Sequence, residues 1–403
     1  MKNKFLSTII IAVALCHSLS AKTIVIVSHP GPGRHWADLL AKAETECTVI
    51  AAEEGAKELS KRGIPFTYFY QDSRSIKSLD EKEADQLAET VVTMCKESDC
   101  VITECGHSFA VRVEQKLEKI APHIERVVYY DNPEPFVPGG YSEYTSKQIH
   151  YANAVLFANK KLVGETILAN SSEVINLIGK RTAGLGYYPL EEIEKIKQMR
   201  SRNQLEYRKA FFDLHGLKDN GQKIVVYFGG ANEEYYDHAF PAFCTIIKTL
   251  VHKGELTNTL FVIQQHPRAR IEGNRDIARL NGSPHFVVSK EKDSDAMLSL
   301  ADAVLYYQTS AAPKFVLSGI PTIQIGHALY VDVAVSSGLV SNATTSQTFL
   351  KIYNSLNLSP LTNDQLLMLQ DKVGISEHWP SHLNHFLEEV SRNRKIVNKH
   401  VEL

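Results

Sequence analysis

Three short apolar runs in the second half of the chain each stop at a turn whose residues suit an anion. Lys223–Phe228 ends in Gly229-Gly230, Leu260–Ile263 ends in Gln264-Gln265-His266-Pro267-Arg268-Ala269-Arg270, and Ala303–Tyr307 ends in Gln308-Thr309-Ser310. Paired glycines let a backbone approach a ligand closely. His266, Arg268 and Arg270 offer an imidazole and two guanidiniums, and the guanidinium fork matches phosphate oxygens. Gln308, Thr309 and Ser310 precede a helical pattern, so hydroxyls and free backbone donors are expected to face outward there. Thr309 or Ser310 also fits as the helix cap, a role compatible with phosphate contact. Lys314, one turn further on, either adds a cation or lies on a solvated face. The chemistry indicated is the holding of a phosphorylated ligand, with donors stabilising charge that develops on a leaving group.

The first half of the chain has its own polar turns. Ser28-His29-Pro30-Gly31-Pro32-Gly33-Arg34-His35 lies between a strand at Thr23–Val27 and a helix expected to start near Trp36. Gly31 and Gly33 would open the backbone to a substrate, and His29, Arg34 and His35 would supply side chains. The spacing is not Gly-x-Gly-x-x-Gly, so a dinucleotide cofactor is not expected. Two later strand ends carry Glu104-Cys105-Gly106-His107 and Asp131-Asn132-Pro133-Glu134. His107, Asp131 and Glu134, together with His266, are the candidates for general acid–base work, and a helix start at His107 would lower its pKa. Any one of these residues alone reads as ordinary loop charge. Their case rests on sharing one edge of a sheet, where ligands of open α/β sheets bind.

The elements that must position these turns follow an alternating rhythm. Apolar runs at Thr23–Val27, Thr48–Ala51, Phe66–Tyr70, Cys100–Thr103, Arg126–Tyr130, Ala154–Phe157 and Val174–Ile178 are separated by charged, helix-period segments such as 53–62, 81–96 and 111–120. A second series has strands near 224–228, 260–263, 285–288, 303–307 and 321–325. This is the βαβ pattern of parallel sheets with helices on their faces, so the fold class is α/β with two parallel-sheet domains. The divisions read as 1–21 signal peptide, 22–185 first domain, 186–222 linker helix, 223–345 second domain and 346–403 C-terminal helices, without a further strand and with a tail helix returning to the first domain.

Composition sets the outer limits. The chain has 403 residues, 44% of them hydrophobic, ample for two cores. A formal charge of −2 gives no general field toward nucleic acid or anionic lipid, so nucleic acid is not an expected partner and an anion must be held by local groups. Lys2 and Lys4, the apolar run Phe5–Cys16 and the small residues before Lys22 read as a secretory signal. Export to the periplasm or cell envelope is expected, with a signal anchor and peripheral membrane association as the alternative. Cys95, Cys100 and Cys105 lack the paired spacing of a zinc site and read, with Cys47 and Cys244, as buried thiols or one disulfide pair. No metal site and no cofactor are expected.

Taken in order, strand-Gly229-Gly230, strand-His266-Pro267, and Ala301-Asp302-Ala303 followed by a polar turn, a helix and Gly319-Ile320-Pro321 resemble the C-terminal half of the GT-B glycosyltransferase superfamily. The likeness is greatest to its UDP-N-acetylglucosamine 2-epimerase and CDP-glycerol glycerophosphotransferase branches. It covers the second half well and the first half only in rhythm. It implies two Rossmann-like domains facing a cleft, with His266, Thr309, Ser310, Gly229 and Gly230 around the diphosphate of an activated donor. The chain departs from the epimerase pattern where Gln308-Thr309-Ser310 stands for Ser-Gly-Gly and Lys314 for a ribose-holding glutamate; a lysine accepts no hydrogen bond from ribose. The resemblance therefore implies a transferase that uses a nucleotide-activated sugar or polyol and a glycan or lipid acceptor of the envelope. The alternative is an exported, non-catalytic binding protein for an anionic ligand.

Overall fold

The computed structural model describes residues 23–132, 140–160, 180–230, 235–266, 270–280, 282–329, 332–356 and 362–401. The proposed signal segment, Glu134, Arg268 and the strand expected at Val174–Ile178 lie outside them. The apolar runs of the first half become β1 (Thr23–Val27), β2 (Cys47–Ala52), β3 (Thr67–Tyr70), β4 (Cys100–Glu104), β5 (Glu125–Tyr130) and β6 (Ala154–Phe157), with β7 (Arg181–Gly184) at the far edge. They form a parallel sheet in the order β3-β2-β1-β4-β5-β6-β7. All five residues of β1 and of β4 are buried, because helices cover both faces of the sheet.

The second half repeats the plan. β8 (Lys223–Phe228), β9 (Thr259–Gln264), β10 (Phe286–Val288), β11 (Ala303–Tyr306), β12 (Thr322–Ile325) and β13 (Ser341–Ala343) form a parallel sheet ordered β10-β9-β8-β11-β12-β13. β13 is absent from the sequence reading because its three residues, Ser-Asn-Ala, carry no apolar run; it is held through pairing of Ile323 with Ser341 and Ile325 with Ala343. In each sheet the strand order reverses beside the first strand, between β1 and β4 and between β8 and β11. Those two reversals are the topological switch points where doubly wound folds bind ligands.

Two helices tie the lobes together. Leu190–His215 starts where Ile193 packs with Leu317, Val373 and Ile375, and ends at Gly216 with φ 63°. Midway, Arg200 donates to the carbonyls of Leu298 (2.9 Å) and Ala301 (2.6 Å). The helix Trp379–Val401 returns to the first lobe, where Trp379, Leu383, Phe386 and Leu387 share a core with Trp36, Leu39 and Tyr187. No described helix is long and apolar enough to cross a membrane. None of the five described cysteines is in a disulfide; Cys95, Cys100 and Cys105 are buried, Cys47 and Cys244 are half-buried and not buried as expected, and burial pushes the Cys95 thiol up to about 12.

The turn after β1 is shorter than the sequence reading has it. The helix runs Pro30–Lys42, so Gly31, Gly33, Arg34 and His35 belong to its first turns and not to an open loop. Pro30 at the first helical position has its φ set for a helix and needs no N–H there. Gly33 donates to the His29 carbonyl at 3.0 Å, and a Cβ on it would stand 3.2 Å from the Gly55 carbonyl oxygen and Glu58 Cβ. Gly33 is thus required by helix–helix packing, and Arg34 is solvent-exposed.

Candidate functional site

The switch point of the first sheet gathers three ionisable side chains out of solvent. Glu104, the last residue of β4, is 1% exposed, and His29 and His107 are 8% and 7% exposed. Glu104 Oε1 accepts from His29 Nδ1 (2.8 Å), His107 Nε2 (3.1 Å) and the Ser28 backbone N–H (2.9 Å), while Oε2 takes the His29 N–H at 3.3 Å. Ser28 Oγ lies 3.0 Å from His29 Nδ1. The two imidazole centroids are 4.2 Å apart. Burial on its own would raise the Glu104 carboxyl, but the two imidazoles outweigh it and hold the group at about 2. Burial lowers His107 to about 4 against the opposing pull of Glu104. His107 stands at the N-cap of the helix Ser108–Ile120, but the cause of its lowered value is lost hydration and not the helix start.

Local structure fixes this cluster. His29 and His107 each sit at an N-cap with extended backbone, so both strand-to-helix turns aim an imidazole at the same carboxylate. Gln148, fully buried on the helix Gly140–Tyr151, donates to the Glu104 carbonyl and accepts from the Gly106 N–H, both at 2.9 Å. Gly106 has φ 87°, a conformation that favours glycine. Asp131, at the end of β5, lies on the same edge: Cys105 Sγ is 3.6 Å from its Oδ1, and a Cβ on Gly31 would be 3.7 Å from Oδ2. His35 bonds Tyr129 Oη at 3.0 Å and is lowered to about 4 by burial, with Asp131 pulling the other way.

The second lobe offers a cavity of about 790 Å³ at the carboxyl ends of β9 and β10. Gln265, His266 and Arg270 line one side, and Ser289, Lys290, Glu291 and Lys292 line the other. Its lysine and arginine residues outnumber its carboxylates, which favours an anion. The segment after β10 is held by its own hydrogen bonds: Glu291 N–H donates to Ser289 Oγ (3.0 Å), and Gln264 Nε2 to the Glu291 carbonyl (3.0 Å). At the switch point itself, a Cβ on Gly230 (φ 120°) would meet Tyr235 Cδ2 at 2.7 Å and the Gln308 carbonyl oxygen at 3.3 Å, so the turns after β8 and β11 touch there.

The two-lobed fold is shared with solved proteins. Over 94% of this chain and 98% of theirs, a UDP-N-acetylglucosamine 2-epimerase from Rickettsia bellii matches at TM-score 0.60 and 12% identity. The Methanocaldococcus jannaschii UDP-GlcNAc 2-epimerase, solved with UDP-GlcNAc and UDP, matches at TM-score 0.59 and 10% identity over 91% and 99%. The N-terminal domain of Candida albicans trehalose-6-phosphate phosphatase matches at TM-score 0.58 and 13% identity over 94% and 98%. The chain has the GT-B fold. No protein-family model matches the sequence, and no curated protein matches it.

Within the GT-B frame the sequence-derived residues separate. His29, His107 and Asp131 come together at the first lobe's edge with Glu104, and His266 and Arg270 share the second lobe's cavity. Three others turn inward. Lys314 Nζ bonds Glu192 (2.8 Å) and Asp295 (2.7 Å) and its side chain is 13% exposed, so its charge is paired with two carboxylates and it lies on no solvated face. Gln308 is fully buried and accepts the Leu329 N–H at 2.9 Å, not facing outward as expected. Gly229 approaches the rings of Phe240 and Tyr236. Thr309 Oγ1 accepts from the Ala311 N–H at 3.2 Å, a local turn bond, and Ser310 is exposed. Sequence reasoning missed Gln148, Ser289, Lys290 and Lys292; only the position of the last three, just past a strand, marked them.

Proposed function

We propose that this chain is a GT-B transferase that uses a nucleotide-diphosphate-activated sugar or polyol as donor and acts in the cell envelope. The carrying observation is the second-lobe cavity, of ligand size, with His266 and Arg270 in its wall. Solved proteins of the same fold were crystallised with UDP or UDP-sugar, which supports a nucleotide there. Transfer rather than epimerisation is proposed because Lys314 stands where the epimerase pattern has a glutamate.

In this reading His266 and Arg270 hold the diphosphate. With a sugar donor, an acceptor hydroxyl attacks the donor carbon, the carbon–oxygen bond to phosphate breaks, and the electron pair leaves with the nucleoside diphosphate. With a polyol donor the hydroxyl attacks phosphorus, the phosphorus–oxygen bond of the diphosphate breaks, and the nucleoside monophosphate leaves. The guanidinium stabilises that departing charge. The acceptor's proton passes to a first-lobe base, for which Asp131 at the end of β5 is the candidate, since His107 Nδ1 is buried out of a substrate's reach.

The test is thermal unfolding with UDP, CDP or GDP. At about 100 times its Kd, the right nucleotide adds ~2.7 kcal/mol of stability, and His266→Ala or Arg270→Ala abolishes the rise in Tm. If no nucleoside diphosphate raises Tm, the donor reading fails. Protection by a simple anion without product from any activated donor would favour a binding protein. Fractionation with N-terminal sequencing of the mature chain tests the envelope location.

A further inference from the structure

The first lobe holds a group of side chains that donor binding does not account for. His29, Glu104 and His107 each present a donor atom within 4.8 Å of the others, and all three are buried. The atoms that face one another are Glu104 Oε1, His29 Nδ1 (2.8 Å) and His107 Nε2 (3.1 Å); an ion among them would take the lone pairs of those two nitrogens and leave the ring hydrogens on His29 Nε2 and His107 Nδ1. His29 Nε2 and His107 Nδ1 are then the remaining ring nitrogens, and neither has a hydrogen-bond partner although both are buried. Two buried imidazoles with unmet nitrogens around one carboxylate form an unusual core feature, since buried polar atoms are ordinarily satisfied.

We infer that His29, Glu104 and His107 form a binding site for one divalent transition-metal ion of the zinc class. Imidazole nitrogen and carboxylate oxygen suit Zn²⁺, Co²⁺ or Fe²⁺, and two histidines with one carboxylate are a donor set that leaves a coordination position for water or a substrate oxygen. Donors about 2.0–2.1 Å from a common ion stand roughly 3.3 Å apart in a tetrahedron, close to the 2.8 and 3.1 Å that separate Glu104 Oε1 from the two nitrogens facing it. The surrounding structure is rigid: Ser28 and His29 N–H groups hold the carboxylate, and Gln148 locks the turn between Glu104 and His107. The ion would lie at the β1/β4 switch point, beside Asp131 on the same edge. The inference is independent of the nucleotide reading, whose cavity is in the other lobe.

The experiment uses the full-length protein stripped with chelator, then dialysed against Zn²⁺ or Co²⁺. The expected result is one equivalent retained, a visible Co²⁺ spectrum of four-coordinate type, and a higher Tm in the ion-loaded protein. His29→Ala and His107→Ala should each weaken retention at least ~10-fold. His29→Gln and His107→Gln keep an amide to donate to Glu104 and serve where an alanine variant does not fold; they too should lose the ion. UDP protection measured on the same samples keeps the two readings apart. Wild-type protein that retains no ion, or folded variants that keep the full equivalent, overturns the inference.

Discussion

The two lobes share one topology and load it differently. Both are doubly wound parallel sheets with the reversal beside the first strand, yet the β1/β4 switch point buries Glu104 with two imidazoles, whereas the β8/β11 switch point presents Gly229, Gly230 and the neutral amide of Gln308. The second lobe's charged cavity lies one strand over, at β9 and β10. The difference teaches that a switch point fixes where backbone ends converge, while the residue at the strand end decides whether the place holds charge or admits a close backbone. One lobe carries its ionisable groups at the switch point, the other one strand away from it.

The sharpest way to break this comparison is to remove the strand-end polar group from each lobe. Glu104→Leu strands two backbone N–H groups and two imidazoles in the core, and should cost about 3–5 kcal/mol. Gln308→Leu leaves the Leu329 N–H unmet and should cost about 1–2 kcal/mol. Urea unfolding reads both by far-UV circular dichroism. Trp36 and Trp379, the chain's two tryptophans, both lie in the first lobe's core, so fluorescence isolates that lobe. Equal costs would mean that the two switch points are energetically alike.

A smaller effect tests whether the pH response belongs to the first lobe. Glu114 is fully buried, and burial raises its carboxyl to about 8, although Thr103 donates to it at 2.6 Å. The folded chain keeps this proton from pH 4.5 to about 8 while the unfolded chain releases it, so stability falls as pH rises through that window. Glu114→Gln should therefore match the wild type near pH 4.5 and exceed it by about 2–4 kcal/mol at pH 8, with the gain visible in tryptophan fluorescence. His35 acts at the other end. With its folded value lowered to about 4, the unfolded chain takes up its proton first, and stability drops as pH falls from 6.5 toward 4. A flat fluorescence-detected stability across both windows would contradict the assignment.

The smallest expected change concerns Lys314. Lys314→Met leaves Glu192 without its partner and Asp295 with Lys195 alone, and should destabilise by about 1–2 kcal/mol. Nucleotide protection should be unchanged, because the ammonium is committed to those carboxylates. Loss of protection at unchanged stability would return Lys314 to the ligand site.

How much could be read beforehand depended on how a feature is encoded. The strands were legible because both sheets are covered on both faces, which writes each of β1, β4, β8 and β9 as a continuous apolar run. β13 was not, since Ser341-Asn342-Ala343 pairs through backbone alone. The glycines after Pro30 carry the pattern of a ligand turn, and only the close approach of Gly33 to Gly55 shows that they serve a helix packed on its neighbour. Among site residues, the convergence of His107 and Asp131 followed from parallel topology, but the side-chain commitments of Lys314 and Gln308 did not.

By itself the sequence determined the alternation of strands and helices, the two-lobed plan, and the edge of each sheet at which polar residues must gather, because burial periodicity and turn chemistry are local properties of the chain. Which of those residues meet was decided only by tertiary structure. His29 and Glu104 stand 75 residues apart, and their hydrogen bond exists because β1 and β4 are neighbours in the sheet. Contacts across such separations depend on register and rotamer, and no local pattern carries either.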